Sequence, residues 1–191
     1  MRKIIAAINM TLDGFCDHTA IIPDEEIHQH YADLLSNADA VLYGRITYQL
    51  MQFWQTLIKN PSGEKSMDDF AVAMDKIPKI VFSNKLKNTD WESAKLAKQS
   101  LEEEVLKLKN FVKDGDKDIF VGSRSLIIQL MNLNLIDEYQ LCVHPVIVGK
   151  GLPLFENING KTIFKLIRAK IFSSGAVILY YEPTNTRTTN R

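Results

Sequence analysis

At 191 residues, with 46% hydrophobic and 24% charged side chains, the chain has a globular composition and can bury about 70% of its unfolded surface without a disulfide or metal. Its 23 basic and 23 acidic side chains cancel, so it lacks the basic bias of a nucleic-acid or acidic-membrane binder. Cys16 and Cys142 lie far apart in no metal-ligand spacing and read as small buried hydrophobes, not as a bridge or part of a metal site.

Residues 4–8 form an apolar run of strand length, which predicts a central strand covered on both faces. Asn9 ends that run too early for a signal segment, and no stretch approaches ~20 apolar residues, so a cytoplasmic protein with no membrane span is expected. Asp13-Gly14 marks a turn leaving the sheet. On such a loop the Asp13 carboxylate serves either a ligand or the turn itself. Asp24, Glu25 and Glu26 open a helix at the end its dipole makes favourable for acids, with Ile27, Tyr31, Leu34 and Leu35 on one face. His28 and His30 on it are two apart, point away from each other and cannot share a metal.

Residues 40–43 read as a buried strand that breaks at Gly44, with Arg45 and Thr47 where a helix should begin. Unpaired backbone N–H groups at a helix start, a glycine that admits close approach and a planar cation make this a candidate phosphate site. A plain strand–helix turn with a solvent-facing arginine is the alternative. The helix continues over 48–54, 60–63 is a loop, and Phe70, Met74 and Ile77 mark a short helix ended by Pro78. A strand over 79–83 ends at Ser83-Asn84, and 91–97 suggests a short edge strand. Ser100 and Glu103 form a capping box for a helix with Leu101, Val105, Leu108 and Val112 inward, stopped at Gly115. A strand over 118–122 ends in Gly122, and Ser123-Arg124-Ser125 leads into a helix burying Leu126, Ile127, Leu130 and Met131. A long strand over 139–148 precedes the Gly149-Lys150-Gly151 turn, and 162–172 with 176–181 reads as a hairpin. The polar tail 184–191 is expected to be disordered. This order predicts one α/β domain over 1–183, with a mostly parallel sheet flanked by helices and an antiparallel C-terminal hairpin.

In open parallel sheets ligands bind beyond the carboxyl ends of the strands. Three loops meet that description: Gly44-Arg45-Ile46-Thr47, Ser83-Asn84-Lys85 and Gly122-Ser123-Arg124-Ser125. Their small residues, hydroxyls and cations suit several phosphates on one ligand, such as a phosphorylated dinucleotide. Neither Gly-x-Gly-x-x-Gly nor Gly-x-x-x-x-Gly-Lys-Ser/Thr occurs, which excludes the usual Rossmann and P-loop readings.

In their joint order these segments resemble the dihydrofolate reductase superfamily, and most closely its riboflavin-biosynthesis reductase branch. Ile5-Ala6-Ala7-Ile8 resembles the first strand, against which the nicotinamide lies, placing Ala7 at the cofactor. Gly44-Arg45-x-Thr47-Tyr48 resembles the signature that grips the NADPH phosphates, and Ser83, with Asn84, falls where a serine meets the adenosine 2′-phosphate. Ile119-Phe120-Val121-Gly122-Ser123 resembles the pyrophosphate loop, with Ser125 nearby and Arg124 either pairing with phosphate or facing solvent. Thr11-Leu12-Asp13-Gly14 and Gly149-Lys150-Gly151-Leu152-Pro153-Leu154-Phe155 are similar to segments of the riboflavin branch and its small relatives. The resemblance implies an NADPH-dependent reductase of a small heterocycle, imine or carbonyl compound, of the 5-amino-6-(5-phosphoribosylamino)uracil reductase type, and a homodimer. Asp13 is then the candidate for proton relay or substrate contact, with His28 and Lys150 on the substrate side.

Two departures stand out. The second glycine of the family's Gly-Gly pair is Ser123. In dihydrofolate reductases that peptide is cis, a form costing ~3–4 kcal/mol away from proline, and either form is open here. The carboxylate on the family's first helix has no counterpart, His28 falling near its slot. No His/Cys/Cys zinc signature of the deaminase usually fused to the riboflavin branch occurs, so a stand-alone reductase is expected. A protein that binds the nucleotide without turnover and a dihydrofolate reductase proper are the alternatives.

Overall fold

In a computed structural model describing residues 2–111 and 117–184, the apolar runs pack as a sheet covered on both faces. β1 (Ile4–Thr11) sends Ile4 and Ala6 to one face and Ile5 and Ala7 to the other. β2 (Ala40–Gly44), β3 (Lys79–Phe82) and β5 (Ile119–Val121) alternate in the same way. Leu42, Ile80 and Val121 meet α5 (Leu101–Asn110) and α6 (Arg124–Asn132) through Val105, Leu126, Ile127 and Leu130. Val41, Tyr43, Val81 and Phe120 meet α1 (Glu25–Ser36) and α4 (Lys65–Lys76) through Ala32, Leu35, Phe70 and Met74. With both faces buried, these strands carry no polar alternation.

With β4 (Ala94–Leu96), β6 (Glu138–His144), β7 (Phe164–Ile171) and β8 (Val177–Pro183), the sheet has eight strands in the order β4-β3-β2-β5-β1-β6-β8-β7. The first six run parallel; β8 and β7 form the antiparallel C-terminal hairpin. This is the expected α/β architecture, and β1 in the middle puts the reversal of winding beside it.

Local chemistry sets the element ends. Asp24 caps α1 by accepting from the Ile27 N–H at 2.8 Å, and the Ser100–Glu103 capping box opens α5. β6 stops at His144, short of the expected 148, because Pro145 has no N–H for the ladder. The helix expected over 48–54 is two, α2 (Arg45–Met51) and α3 (Phe53–Lys59), which meet at Gln52. The short helix before Pro78 is twelve residues long, its polar outer face having hidden its start. Trp91 lies outside β4 and enters the core, 3% exposed, under the Lys79 ammonium, which stands 3.9 Å from its ring centre. The roles read for Val112 and Gly115 lie outside the described residues, as does the tail beyond Thr184, whose N–H donates to the Ile163 carbonyl. No helix among the described residues is long and apolar enough to cross a membrane.

Candidate functional site

The site begins with the brevity of β5. It pairs with β1 only from Ile4 to Ala6 and with β2 only from Ala40 to Leu42, while β1 runs on to Thr11 and β2 to Gly44. Beyond Val121, therefore, the β5-facing edge of β1 from Ala7 onward has no strand beside it. Gly122 turns the chain out of this notch, where a Cβ on it would lie 3.0 Å from Tyr43 Cε1 and 4.0 Å from the Ala7 carbonyl oxygen.

The three polar loops do meet at one end of the sheet. The Gly44 N–H donates to Ser123 Oγ at 2.8 Å, joining the end of β2 to the start of α6. A Cβ on Gly44 would stand 3.2 Å from Ser125 Oγ, so glycine keeps open a gap that a methyl group would take up. Gly44, Arg45, Thr47, Ser83, Asn84 and Ser125 line one groove of about 490 Å³. The Arg45 guanidinium is steadied by Gln49, whose Oε1 accepts from Nη1 at 3.0 Å. Ser83 Oγ accepts from the Lys85 and Leu86 N–H groups, both at 3.0 Å, which holds its loop in a tight turn. Ser123, the N-cap of α6, makes no side-chain cap, its hydroxyl being engaged with Gly44. The first N–H groups of α6 thus lack a side-chain cap beside Ser125, where an anion fits.

Other site candidates stand elsewhere. Arg124 points away from phosphate chemistry: Nε donates to the Pro153 carbonyl at 2.7 Å and the guanidinium pairs with Glu156, tying the 149–156 loop to α6. Asp13 is exposed and accepts from the Thr11 hydroxyl at 2.6 Å, the Gly149 N–H at 2.7 Å and the Val148 N–H at 3.2 Å. The Thr11 hydrogen bond, followed by those backbone donors, lowers its pKa, so the carboxylate is ionised and joins two loops. His28 packs edge-on against Trp54, ring centres 5.6 Å apart, and near Phe70, away from the groove. Burial lowers its pKa, opposed by Asp24 and Glu64. Lys150 is exposed on its turn.

Residues 2–180 match the RibD C-terminal domain family. The chain belongs to that family. The chain is also similar to two uncharacterized proteins of Bacillus subtilis (strain 168). YyaP is 34% identical over 94% of both chains, and YwjB is 27% identical over 94% of this chain and 97% of its own. Among solved structures, a putative riboflavin biosynthesis protein from Shewanella sp. PV-4 aligns with a TM-score of 0.70 at 19% identity, covering 97% of this chain and all of that one. A pyrimidine reductase-like protein from Corynebacterium diphtheriae aligns at 0.62 and 14% identity, covering 97% and 93%. The diaminohydroxyphosphoribosylaminopyrimidine deaminase/5-amino-6-(5-phosphoribosylamino)uracil reductase of Thermotoga maritima aligns at 0.61 and 19% identity, over 96% of this chain and 57% of that one. These likenesses establish a dihydrofolate-reductase-like fold of the RibD C-terminal branch.

Within that RibD-type frame, Gly122–Ser123 is trans, no peptide among the described residues being cis. The serine that replaces the second glycine has a visible task, since its oxygen satisfies the buried Gly44 N–H. Sequence reading missed two features. Gln99, Ser100 and Leu101 form the far wall of the groove, their only signal having been a capping box. The second is a buried polar cluster next to the notch, in which Asn9 Oδ1 lies 2.9 Å from His144 Nε2 and accepts from the Tyr31 hydroxyl at 3.2 Å. Asn9 and His144 are 135 residues apart, and only the parallel pairing of β1 with β6 brings them together.

Proposed function

We propose that this chain is an NADPH-dependent reductase of a small heterocyclic, imine or carbonyl compound, of the 5-amino-6-(5-phosphoribosylamino)uracil reductase kind. The observation that carries it is the convergence of Gly44, Arg45, Thr47, Ser83 and Ser125 on one groove that opens beside the notch between β1 and β2. The group fits the residues present. Gly44 leaves a cradle that a Cβ would fill, the start of α6 offers uncapped N–H groups, and Arg45 supplies a permanent charge.

In this reading the turns at Gly44 and Ser125 hold the pyrophosphate, Arg45 and Thr47 add charge and a hydroxyl, and Ser83 with Asn84 lies at the adenosine 2′-phosphate. The open edge of β1 from Ala7 positions the ring at the other end. A reduced nicotinamide supplies the hydride. The protein's part is to orient the two reactants and keep water out, since cofactors of this kind carry their own chemistry. The substrate lies on the β1–β6 side of the notch, near Asp13 and the turn bearing Lys150. The same reading makes the working unit a homodimer, with edge strand β7 and its exposed Leu166, Ile167 and Ile171 available for pairing.

Thermal shift tests the nucleotide reading directly. A ligand at 100 times its dissociation constant stabilises the fold by about 2.7 kcal/mol, so NADPH should raise the melting temperature clearly, and more than NADH does. No shift with either would end the reading. A shift without NADPH oxidation on pterins, quinones, ketones and aminouracil ribotides would make the chain a nucleotide-binding protein without turnover.

A further inference from the structure

The buried cluster beside the notch has an asymmetry that decides what it can offer. Asn9 lies on β1 two residues beyond Ala7, on the same face of the sheet and past the last rung of β5. Its Oδ1 is turned toward β6 and α1, where His144 Nε2 stands at 2.9 Å and the Tyr31 hydroxyl donates at 3.2 Å. An amide oxygen only accepts, and a neutral imidazole has one N–H. The contact therefore places the His144 proton on Nε2. His144 is 6% exposed, and burial lowers its pKa against the opposing pull of Asp24, which keeps the ring neutral near pH 7. Cys142 Sγ, 3.5 Å from the same Nε2, closes the cluster on the β6 side. The Asn9 oxygen thus has two donors, whereas its Nδ2 has no hydrogen-bond partner among the described residues. Asn9 itself is half-buried, at the border between this cluster and the open edge of β1.

We infer that Asn9 is a specificity-determining residue whose NH2 group donates to a carbonyl oxygen on the substrate ring, with Tyr31 and His144 as the positioning residues that hold its carboxamide in that orientation. The inference rests on the reductase reading, which supplies the substrate's place beside the notch. A planar amide whose oxygen is held by His144 and Tyr31 presents its nitrogen on the other branch, turned from both of those partners, on a strand whose outer edge is open past the last rung of β5. A site built around a fixed donor discriminates strongly, because a ring lacking the matching acceptor leaves that donor desolvated and unpaired.

Asn9→Asp provides the test, since aspartate keeps an oxygen for Tyr31 and His144 and puts a second, negatively charged acceptor oxygen where the NH2 donors stood. The wild type and this variant, both saturated with NADP+, are titrated with 5-amino-6-(5-phosphoribosylamino)uracil, and NADP+ affinity is measured separately for each. The expected result is at least about tenfold weaker ribotide binding with NADP+ affinity unchanged, the loss that follows when a desolvated acceptor faces no donor. Nitrogen-15 spectra of His144 give an independent reading and should show the Nε2–H tautomer. Ribotide binding equal in variant and wild type would overturn the inference, as would a wild type that binds NADP+ but not the ribotide, or a proton found on Nδ1. Failure of the wild type to bind NADP+ would instead overturn the reductase reading beneath it. Asn9→Ala is the second variant, should the aspartate destabilise the fold, and the same weakening is expected from it.

Discussion

Gly44→Ala separates folding from binding by a single methyl group. Gly44 has φ −77° and ψ 165°, an extended conformation that alanine adopts without strain. Reduced freedom of the unfolded chain then favours the variant by about 0.4–1 kcal/mol. Against this, the new Cβ would lie 3.2 Å from Ser125 Oγ and 3.8 Å from Ser123 Oγ. Ser125 is exposed and can move its hydroxyl aside, and an off-rotamer side chain costs about 0.5–1.5 kcal/mol. The two effects nearly cancel, so stability should stay within about 1 kcal/mol of the wild type, a change of about 2–4 °C in melting temperature for a chain of this size. Binding has no such compensation, because the methyl occupies the place assigned to a phosphate oxygen. A lost hydrogen bond to a charged group is worth about 1.5–3 kcal/mol, or roughly 10- to 150-fold in affinity. Urea melts and a fluorescence titration with NADPH measure the two quantities on one preparation. An unchanged NADPH affinity would remove the phosphate from this turn, and destabilisation beyond about 3 kcal/mol would refute the packing estimate.

Ser123→Ala should act through the fold, since it leaves the buried Gly44 N–H without its acceptor. The expected loss is about 1–3 kcal/mol in a denaturant melt, and an unaffected melt would mean another group accepts that proton. Arg45→Ala should weaken NADPH more than NADH if the guanidinium meets the 2′-phosphate, whereas equal losses would assign it to the shared pyrophosphate. Lys79, 0% exposed, donates to Ser93 Oγ at 2.7 Å and the Ile77 carbonyl at 2.9 Å, yet burial lowers its pKa to about 8 against the pull of Asp75. Between about pH 8 and the ordinary value of 10.5 the unfolded chain holds the proton that the folded one has released, so stability rises with pH in that window. Lys79→Met should flatten that slope in melts taken from pH 7.5 to 9.5, and an unchanged slope would assign the effect to another group.

Much of the fold was legible because its signals were local. The apolar runs at the starts of β1, β2 and β3, the Ser100–Glu103 box and the Gly14 turn each declare themselves within a few residues. Where local signals were weak, boundaries moved: α4 shows mostly polar side chains on its outer face, and Trp91 resembles a strand residue while serving as a core ring under Lys79. The groove was legible for the same reason, because Gly44 ends a strand run, Ser83 directly follows one, and Ser125 stands four residues beyond a third, at the start of the next helix. Arg124 was ambiguous in sequence because its partners, Pro153 and Glu156, arrive from a loop about thirty residues away. The Asn9–His144 contact was invisible because nothing local sets a parallel register between strands so far apart.

That register has a mechanical consequence. β1 is held to β6 by seven paired residues and to β5 by three. The sheet is therefore two leaves, β4-β3-β2-β5 and β1-β6-β8-β7, stitched along a seam three rungs long at one end and unstitched at the other. Small rotations about that seam would open or narrow the cleft while the ladders inside each leaf stay intact. A molecule that bridged the unstitched end would lock the leaves at one angle.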